Sequence, residues 1–148
     1  MEIVKASKKH VPEIIALLAD DYLGKGRENV ADQLSLYEAA FDQIQSDPNN
    51  DVFILLNGET VVGCLQLTLI AGLSITATKR AQIEGVRVHS NYRGKGLGHK
   101  LFEFAIENAR SRGAGLVQLT TNRQRMDAHR FYDQLGFVQS HIGYKLKL

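Results

Sequence analysis

The stretch Val86-Arg87-Val88-His89-Ser90-Asn91-Tyr92-Arg93-Gly94-Lys95-Gly96-Leu97-Gly98-His99-Lys100 decides how the rest of the chain is read. An apolar, β-branched run ends in a turn with glycine at positions 94, 96 and 98, and the turn opens a helical pattern. Alternate glycines let main-chain N–H groups face outward with no Cβ in the way. Those groups are also the unpaired donors of a helix N-terminus, where the macrodipole adds about half a positive charge. With Arg93, Lys95 and Lys100 alongside, the turn reads as a cradle for phosphate or pyrophosphate. The alternative is a helix entry that uses glycine only for tight packing. Two familiar phosphate loops do not fit. A P-loop needs Gly-Lys-Ser/Thr, but Lys95 is followed by Gly96. A dinucleotide fingerprint from Gly94 needs glycine where His99 stands, and an acidic residue about twenty positions on, near Gln118, where none occurs.

Outward from that turn, 94–112 is predicted helical, with Leu97, Leu101, Phe104, Ala105 and Ala109 on one face. Gly113 and Gly115 end it, 116–121 reads as a strand, 126–135 as a short helix closed by Gly136, and 137–148 as a final strand. Upstream, 81–89 is a strand through Ile83, Val86 and Val88, while 52–56 and 60–70 are β-branched runs around the hairpin signal Asn57-Gly58. Ile3 and Val4 begin the chain, and Val11, Ile14, Ile15, Leu17 and Leu18 make the stripe of a first helix with Pro12 in its opening turn. A loop at 24–27 leads to a second helical pattern over 29–45, through Val30, Leu34, Tyr37, Phe41 and Ile44, which the turn formers at 46–51 close. The order β-α-α-β-β-β-α-β-α-β predicts an α+β or mixed α/β fold, largely antiparallel in front with a βαβ unit behind.

The 148 residues predict a single domain over 1–148, with 44% hydrophobic and 23% charged residues, near the averages for globular proteins. A net charge of +2 is too mild to argue for nucleic acid as partner. Cys64, the lone cysteine, excludes an internal disulfide framework and a cysteine zinc cluster. No signal-peptide run opens the sequence and no stretch has eighteen consecutive apolar residues, so the expectation is a cytoplasmic protein away from membranes. The histidines His10, His89, His99, His129 and His141 show no ligand spacing, so no metal site is predicted.

Arg93-Gly94-Lys95-Gly96-Leu97-Gly98 resembles the Arg/Gln-x-x-Gly-x-Gly/Ala signature of the GNAT N-acetyltransferase family. Upstream, Gln82-Ile83-Glu84-Gly85-Val86-Arg87-Val88 resembles the family's fourth strand; downstream, Ala128-His129-Arg130-Phe131-Tyr132-Asp133-Gln134-Leu135-Gly136-Phe137 resembles its Ala-x-x-x-Tyr-x-x-x-Gly-Phe segment. The element order is also similar along the whole chain. The resemblance implies a mostly antiparallel twisted sheet flanked by helices, with an acyl-coenzyme A slot at a splayed central strand pair. It implies acetyl-CoA as co-substrate, direct transfer to an amine, and a cofactor site formed by Val86, Arg87, Val88, Arg93, Gly94, Lys95, Gly96, Leu97, Gly98 and His99. The main chain of Val86 and Val88 would pair with pantetheine amides, and Val86 N–H would serve the oxyanion. A homodimer is common in the family, although no interface signature is visible here.

Amine acetylation needs a base, because an amine with a pKa of about 10 arrives protonated, and it needs a donor for the oxyanion. Glu84, the acid of an otherwise apolar strand, is the candidate base, with partial burial expected to raise its pKa; an ion pair with Arg80 or Arg87 is the alternative. Gly85 beside it reads as a bulge. By the resemblance Tyr132 is the general acid near the sulfur; packing beside Phe131 and Phe137 is the alternative. Asn122 would bond coenzyme A or shape a turn. Seven residues before Tyr132, where many members carry asparagine, stands Arg125. Cys64 sits in an apolar strand with no base nearby and reads as an inert thiol. The resemblance implies an acceptor pocket within 20–46, which contains Asp20, Asp21, Tyr22, Lys25, Arg27, Tyr37 and Glu38, or these residues form solvated surface. Thr120-Thr121-Asn122, Arg125, Asp127-Ala128-His129-Arg130-Phe131-Tyr132 and Gln139-Ser140-His141 resemble the aminoalkylphosphonate N-acetyltransferase subgroup, which implies a small primary amine carrying an anionic group. A non-catalytic acyl-CoA-binding sensor is the second reading of the whole.

Overall fold

Continuous apolar runs set the middle of the sheet, where neighbouring residues such as Phe53, Ile54 and Leu55 are all buried. The computed structural model describes residues 1–20 and 33–148, in two compact units, Met1–Gln118 and Leu119–Leu148. The loop expected at 24–27, the start of the second helix at 29–32, and the pocket candidates Asp21, Tyr22, Lys25 and Arg27 lie outside the described residues.

In the first unit, β1 (Glu2–Lys5), β2 (Asn50–Asn57), β3 (Thr60–Ile70), β4 (Arg80–Val88) and β5 (Leu116–Gln118) form one sheet in the order β1-β2-β3-β4-β5. The first three pairings are antiparallel and β4–β5 is parallel, as the sequence predicts. β3 and β4 are joined through a single left-handed turn, α3 (Ser74–Ala77), in which Ile75 and Thr76 have φ of 54°. α1 (Val11–Ala19) carries Pro12 in its first turn, where a missing N–H costs nothing, and α2 (Leu34–Ser46) follows.

Residues paired across strands share a face, so Val52, Gln66 and Glu84 form one cross-sheet row, and Ile54, Cys64 and Arg87 the next. That face carries α1 and α2: Leu17 packs with Ile54, Val61 and Cys64, and Val11 and Ile15 pack with Phe41. The opposite face holds α4 (Leu97–Ser111), which buries Leu101, Phe102, Ala105 and Ala109. Phe104 of α4 meets Phe53 edge-on at 4.9 Å, and an alanine Cβ built on Gly63 would lie 3.2 Å from Leu101. At the far end of α4, Arg112 pairs at 2.6 Å with Asp51, which also takes Lys5 at 2.8 Å.

The second unit contains α5 (Met126–Gln134), entered by a turn in which Asn122 Oδ1 accepts the Gln124 N–H at 2.9 Å. The final strand expected over 137–148 is not formed: these residues carry no strand pairing, and Val138, Ile142, Tyr144, Leu146 and Leu148 are all exposed. A period-two pattern makes a strand only when a partner edge supplies its hydrogen bonds, and that is not a local property. β5 likewise stops at Gln118, three residues short of its expected end.

Candidate functional site

The bulge expected at Gly85 is present. Cys64 pairs with Arg87 and Gln66 with Glu84, so Gly85 and Val86 together oppose Leu65, and Gly85 takes φ +60°. A left-handed glycine with two residues facing one is the G1 bulge, which bends its strand. Pairing with β5 covers β4 only from Arg80 to Gln82. His89 N–H reaches Val62 O at 2.9 Å on the β3 side. Main-chain direction alternates along a strand, so the amides of Val88 and Val86 point to the opposite edge, past the end of β5. Val86 O accepts Arg87 Nη1 at 2.8 Å and Val88 O accepts Arg93 Nε at 3.0 Å; each carbonyl keeps a second lone pair.

From Val88 the chain runs through one turn at Ser90–Tyr92 into the glycine turn. Gly94 and Gly96 take φ of +74° and +75°, and a Cβ built on either meets nothing within 4 Å. The backbone conformation therefore demands glycine while the space before it is open, as a cradle for a large ligand requires. Gly96 caps α4, and the Lys100 N–H makes the first turn bond back to Gly96 O at 3.1 Å. The amides of Leu97, Gly98 and His99 precede that bond and are the donors a helix start presents. α4 starts at Leu97, three residues after its expected start, so Gly94 and Gly96 form the turn and Gly98 belongs to the helix.

The flanking cations are more committed than the sequence suggested. Arg93 donates through Nη2 to the carbonyl of Asp20 and lies 3.4 Å from its carboxylate. Lys95 folds back to Asn91 O at 3.1 Å, with its ammonium 5.1 Å from the Tyr92 ring. Lys100 reaches Met1 O at 2.9 Å. Asp20 also accepts the Ser90 N–H at 2.8 Å, a bond that holds its carboxyl below the usual carboxylate range against the opposing effect of desolvation. It is a tie between α1 and the turn before α4, a role no local pattern announced.

Glu84 is exposed, so the partial burial expected of it is not found. Its register places it on the face that carries α1 and α2, beside its row partner Gln66 and next to the bulge. Among the described residues it forms no ion pair with Arg80 or Arg87. Gln66 donates to Asn50 Oδ1 at 2.9 Å. It went unremarked in the sequence, although one amide within the apolar run 61–69 was a legible signal. Next to it opens a cavity of about 210 Å³ between α1, α2 and the sheet, lined by Ile14, Leu18, Tyr37, Phe41, Cys64, Gln66 and Gly85 among others. Cys64 is buried, its Sγ 3.5 Å from Gly85 O, and burial pushes its thiol up to about 12. Of the pocket candidates, Tyr37 lines this cavity, Asp20 is engaged as above, and Glu38 does not line it.

In the second unit Tyr132 is half-buried on α5, edge-on to Phe131 at 5.6 Å and to Phe137 at 6.2 Å. Asn122 is used in its turn: besides the Gln124 bond, its carbonyl accepts Arg125 N–H at 3.0 Å and meets His129 Nε2 at 3.2 Å. Arg125 ends that turn at the head of α5. Among the described residues no group of three or more His, Cys, Asp or Glu is placed to hold a metal, and no helix is long and apolar enough to cross a membrane.

Comparison with known proteins agrees with this geometry. The model of the Acetyltransferase (GNAT) family matches residues 11–137. Aminoalkylphosphonate N-acetyltransferase of Salmonella typhimurium is 38% identical over 96 residues, 65% of this chain and 62% of the relative, so the match spans under two thirds of that protein. A crystal structure described as a transcriptional regulator from Bacillus halodurans C-125 superposes with a TM-score of 0.96 at 45% identity, over 99% of both chains. A putative acetyltransferase from Agrobacterium tumefaciens superposes at 0.88 with 25% identity, over 100% of both. With the family model spanning most of the chain over the same bulged strand and glycine turn, the chain belongs to the GNAT acetyltransferase family.

Proposed function

We propose that residues 1–148 act as one N-acetyltransferase domain that passes the acetyl group of acetyl-CoA directly to a primary amine of a small molecule. The observation that carries this reading is the pairing of two features on one strand: β4 offers outward amides at Val86 and Val88, and it leads into the open glycine turn capping α4. The first suits the amide chain of pantetheine and the second its pyrophosphate, held by Gly94, Lys95, Gly96, Leu97, Gly98 and His99. Arg93 and Arg87 shape this site by holding the carbonyls of Val88 and Val86. Similarity to an aminoalkylphosphonate N-acetyltransferase supports a small amine as acceptor.

In the proposed reaction Glu84 takes a proton from the ammonium through water, since its carboxylate is exposed. The amine lone pair attacks the thioester carbonyl carbon and forms the C–N bond, and Val86 N–H stabilises the oxyanion. The tetrahedral intermediate collapses, the C–S bond breaks, and the thiolate takes a proton from Tyr132 or solvent. The second amine proton passes to water, leaving an amide and free coenzyme A. Tyr132 holds the acid role on its sequence match, Asn122 a coenzyme A contact on the same ground.

A second reading, a non-catalytic acyl-CoA sensor, draws on the relative described as a transcriptional regulator. Thiol release from acetyl-CoA over a panel of amines separates the two. Turnover that falls about 10²–10⁴-fold in Glu84→Gln, with acetyl-CoA affinity retained, supports the enzyme. Tight acetyl-CoA binding with no thiol released by any amine supports the sensor.

A further inference from the structure

We propose that the acceptor is a primary amine with an apolar arylalkyl or alkyl group, seated in the cavity between α1, α2 and the sheet with its nitrogen at the Gln66–Glu84 row. This rests on the acetyl-transfer reading and names its substrate class. The cavity measures about 210 Å³. An apolar cavity of about 150 Å³ stays dry and takes up benzene, so this one has room for a six-membered ring and a short tether. Its walls are Ile14 and Leu18 of α1, Phe41 of α2 and the Cys64 side chain, and among the described residues no charged side chain lines it.

Polarity enters at one end. Gln66 lines the cavity at the sheet, and its register partner Glu84 is exposed on the same face, one residue before the bulge at Gly85. An amine entering tail first leaves its nitrogen at that row, beside the carboxylate proposed to deprotonate it and the strand proposed to carry the thioester. Of the described residues that line the cavity none is cationic, so these walls favour an apolar tail over a phosphonate. The motif residues that resemble the subgroup, Asn122, Arg125 and His129 among them, do not line this cavity.

The test is steady-state thiol release by the purified full chain at saturating acetyl-CoA, with 2-phenylethylamine, hexylamine, 2-aminoethylphosphonate and spermidine. The expected kcat/KM for the two apolar amines is at least tenfold above that for the phosphonate and the polyamine. Ala40 lines the cavity from an exposed position on α2, so Ala40→Phe adds a ring without disturbing the buried core. It should raise KM for 2-phenylethylamine at least tenfold, with an unchanged calorimetric Kd for acetyl-CoA reporting an intact fold. Equal or better kcat/KM for a charged acceptor, or an unmoved KM in Ala40→Phe, overturns the inference and leaves acetyl transfer standing. No thiol release with any amine overturns acetyl transfer itself, and the substrate class with it.

Discussion

The Asp20 carboxylate accepts the Ser90 amide hydrogen at 2.8 Å, joining residues seventy positions apart: the end of α1 and the turn that precedes α4. That bond lowers the Asp20 pKa, and the nearby charges of Arg93 and His89 act in the same direction. A carboxylate held below its unfolded value of about 3.9 stabilises the fold at pH above that value and loses the contribution as pH falls through the native one. Asp20→Asn should therefore melt below the parent at pH 7, and the gap should close below about pH 4. Thermal melts from pH 7 to 3 decide it; a gap that stays constant over that range refutes the assignment.

Burial that pushes the Cys64 thiol up to about 12 leaves almost no thiolate at neutral pH. The native protein should resist Ellman's reagent and release its one equivalent only in denaturant. Peptide mass spectrometry after incubation with acetyl-CoA should find no acetyl group on Cys64. An acetylated cysteine would mean transfer through the enzyme's own sulfur.

Gly96 sits at φ +75° with open space before it. Gly96→Ala meets no clash, so its stability cost is the left-handed backbone alone, about 1–2 kcal/mol. The added methyl projects into the space proposed for pyrophosphate, so the Kd for acetyl-CoA should rise by more than that stability loss accounts for. Denaturant melts and calorimetry, run in parallel, separate the two effects.

Phe102 is 1% exposed beneath α4. Phe102→Ala should cost about 3–5 kcal/mol, the usual range for emptying a buried aromatic site. A change under 1 kcal/mol in urea unfolding would show that α4 repacks.

The parts of the fold that local periodicity controls were legible. α1 and β3 begin and end where the sequence reading puts them, because the apolar stripe of one and the continuous apolar run of the other are each complete within a single element. Phe102 escaped the predicted stripe of α4 because it follows Leu101 directly, and a helix seated on a broad sheet buries both flanks of its stripe. The glycine turn and the bulge were legible too, since left-handed backbone leaves its mark in residue type. What escaped depended on distant partners. Glu84 lies outward because of its register with Gln66, Asp20 is claimed by Ser90, and 137–148 alternates like a strand without pairing as one. Cavity shape between helix and sheet is likewise a property of packing, which no run of residues spells out.

Gly63 sets a clearance. A methyl there would stand 3.1 Å from Arg87 O and 3.2 Å from Leu101 Cδ1, so the bare Cα is what lets α4 lie this close to the sheet. Leu101 is one turn into α4, and Gly94 and Gly96 stand just before its start. Lifting that end by a few tenths of an ångström would carry the glycine turn away from the outward amides of β4. One hydrogen atom in a mid-sheet position thus acts as the gauge for the distance between two parts of a ligand site that it never touches.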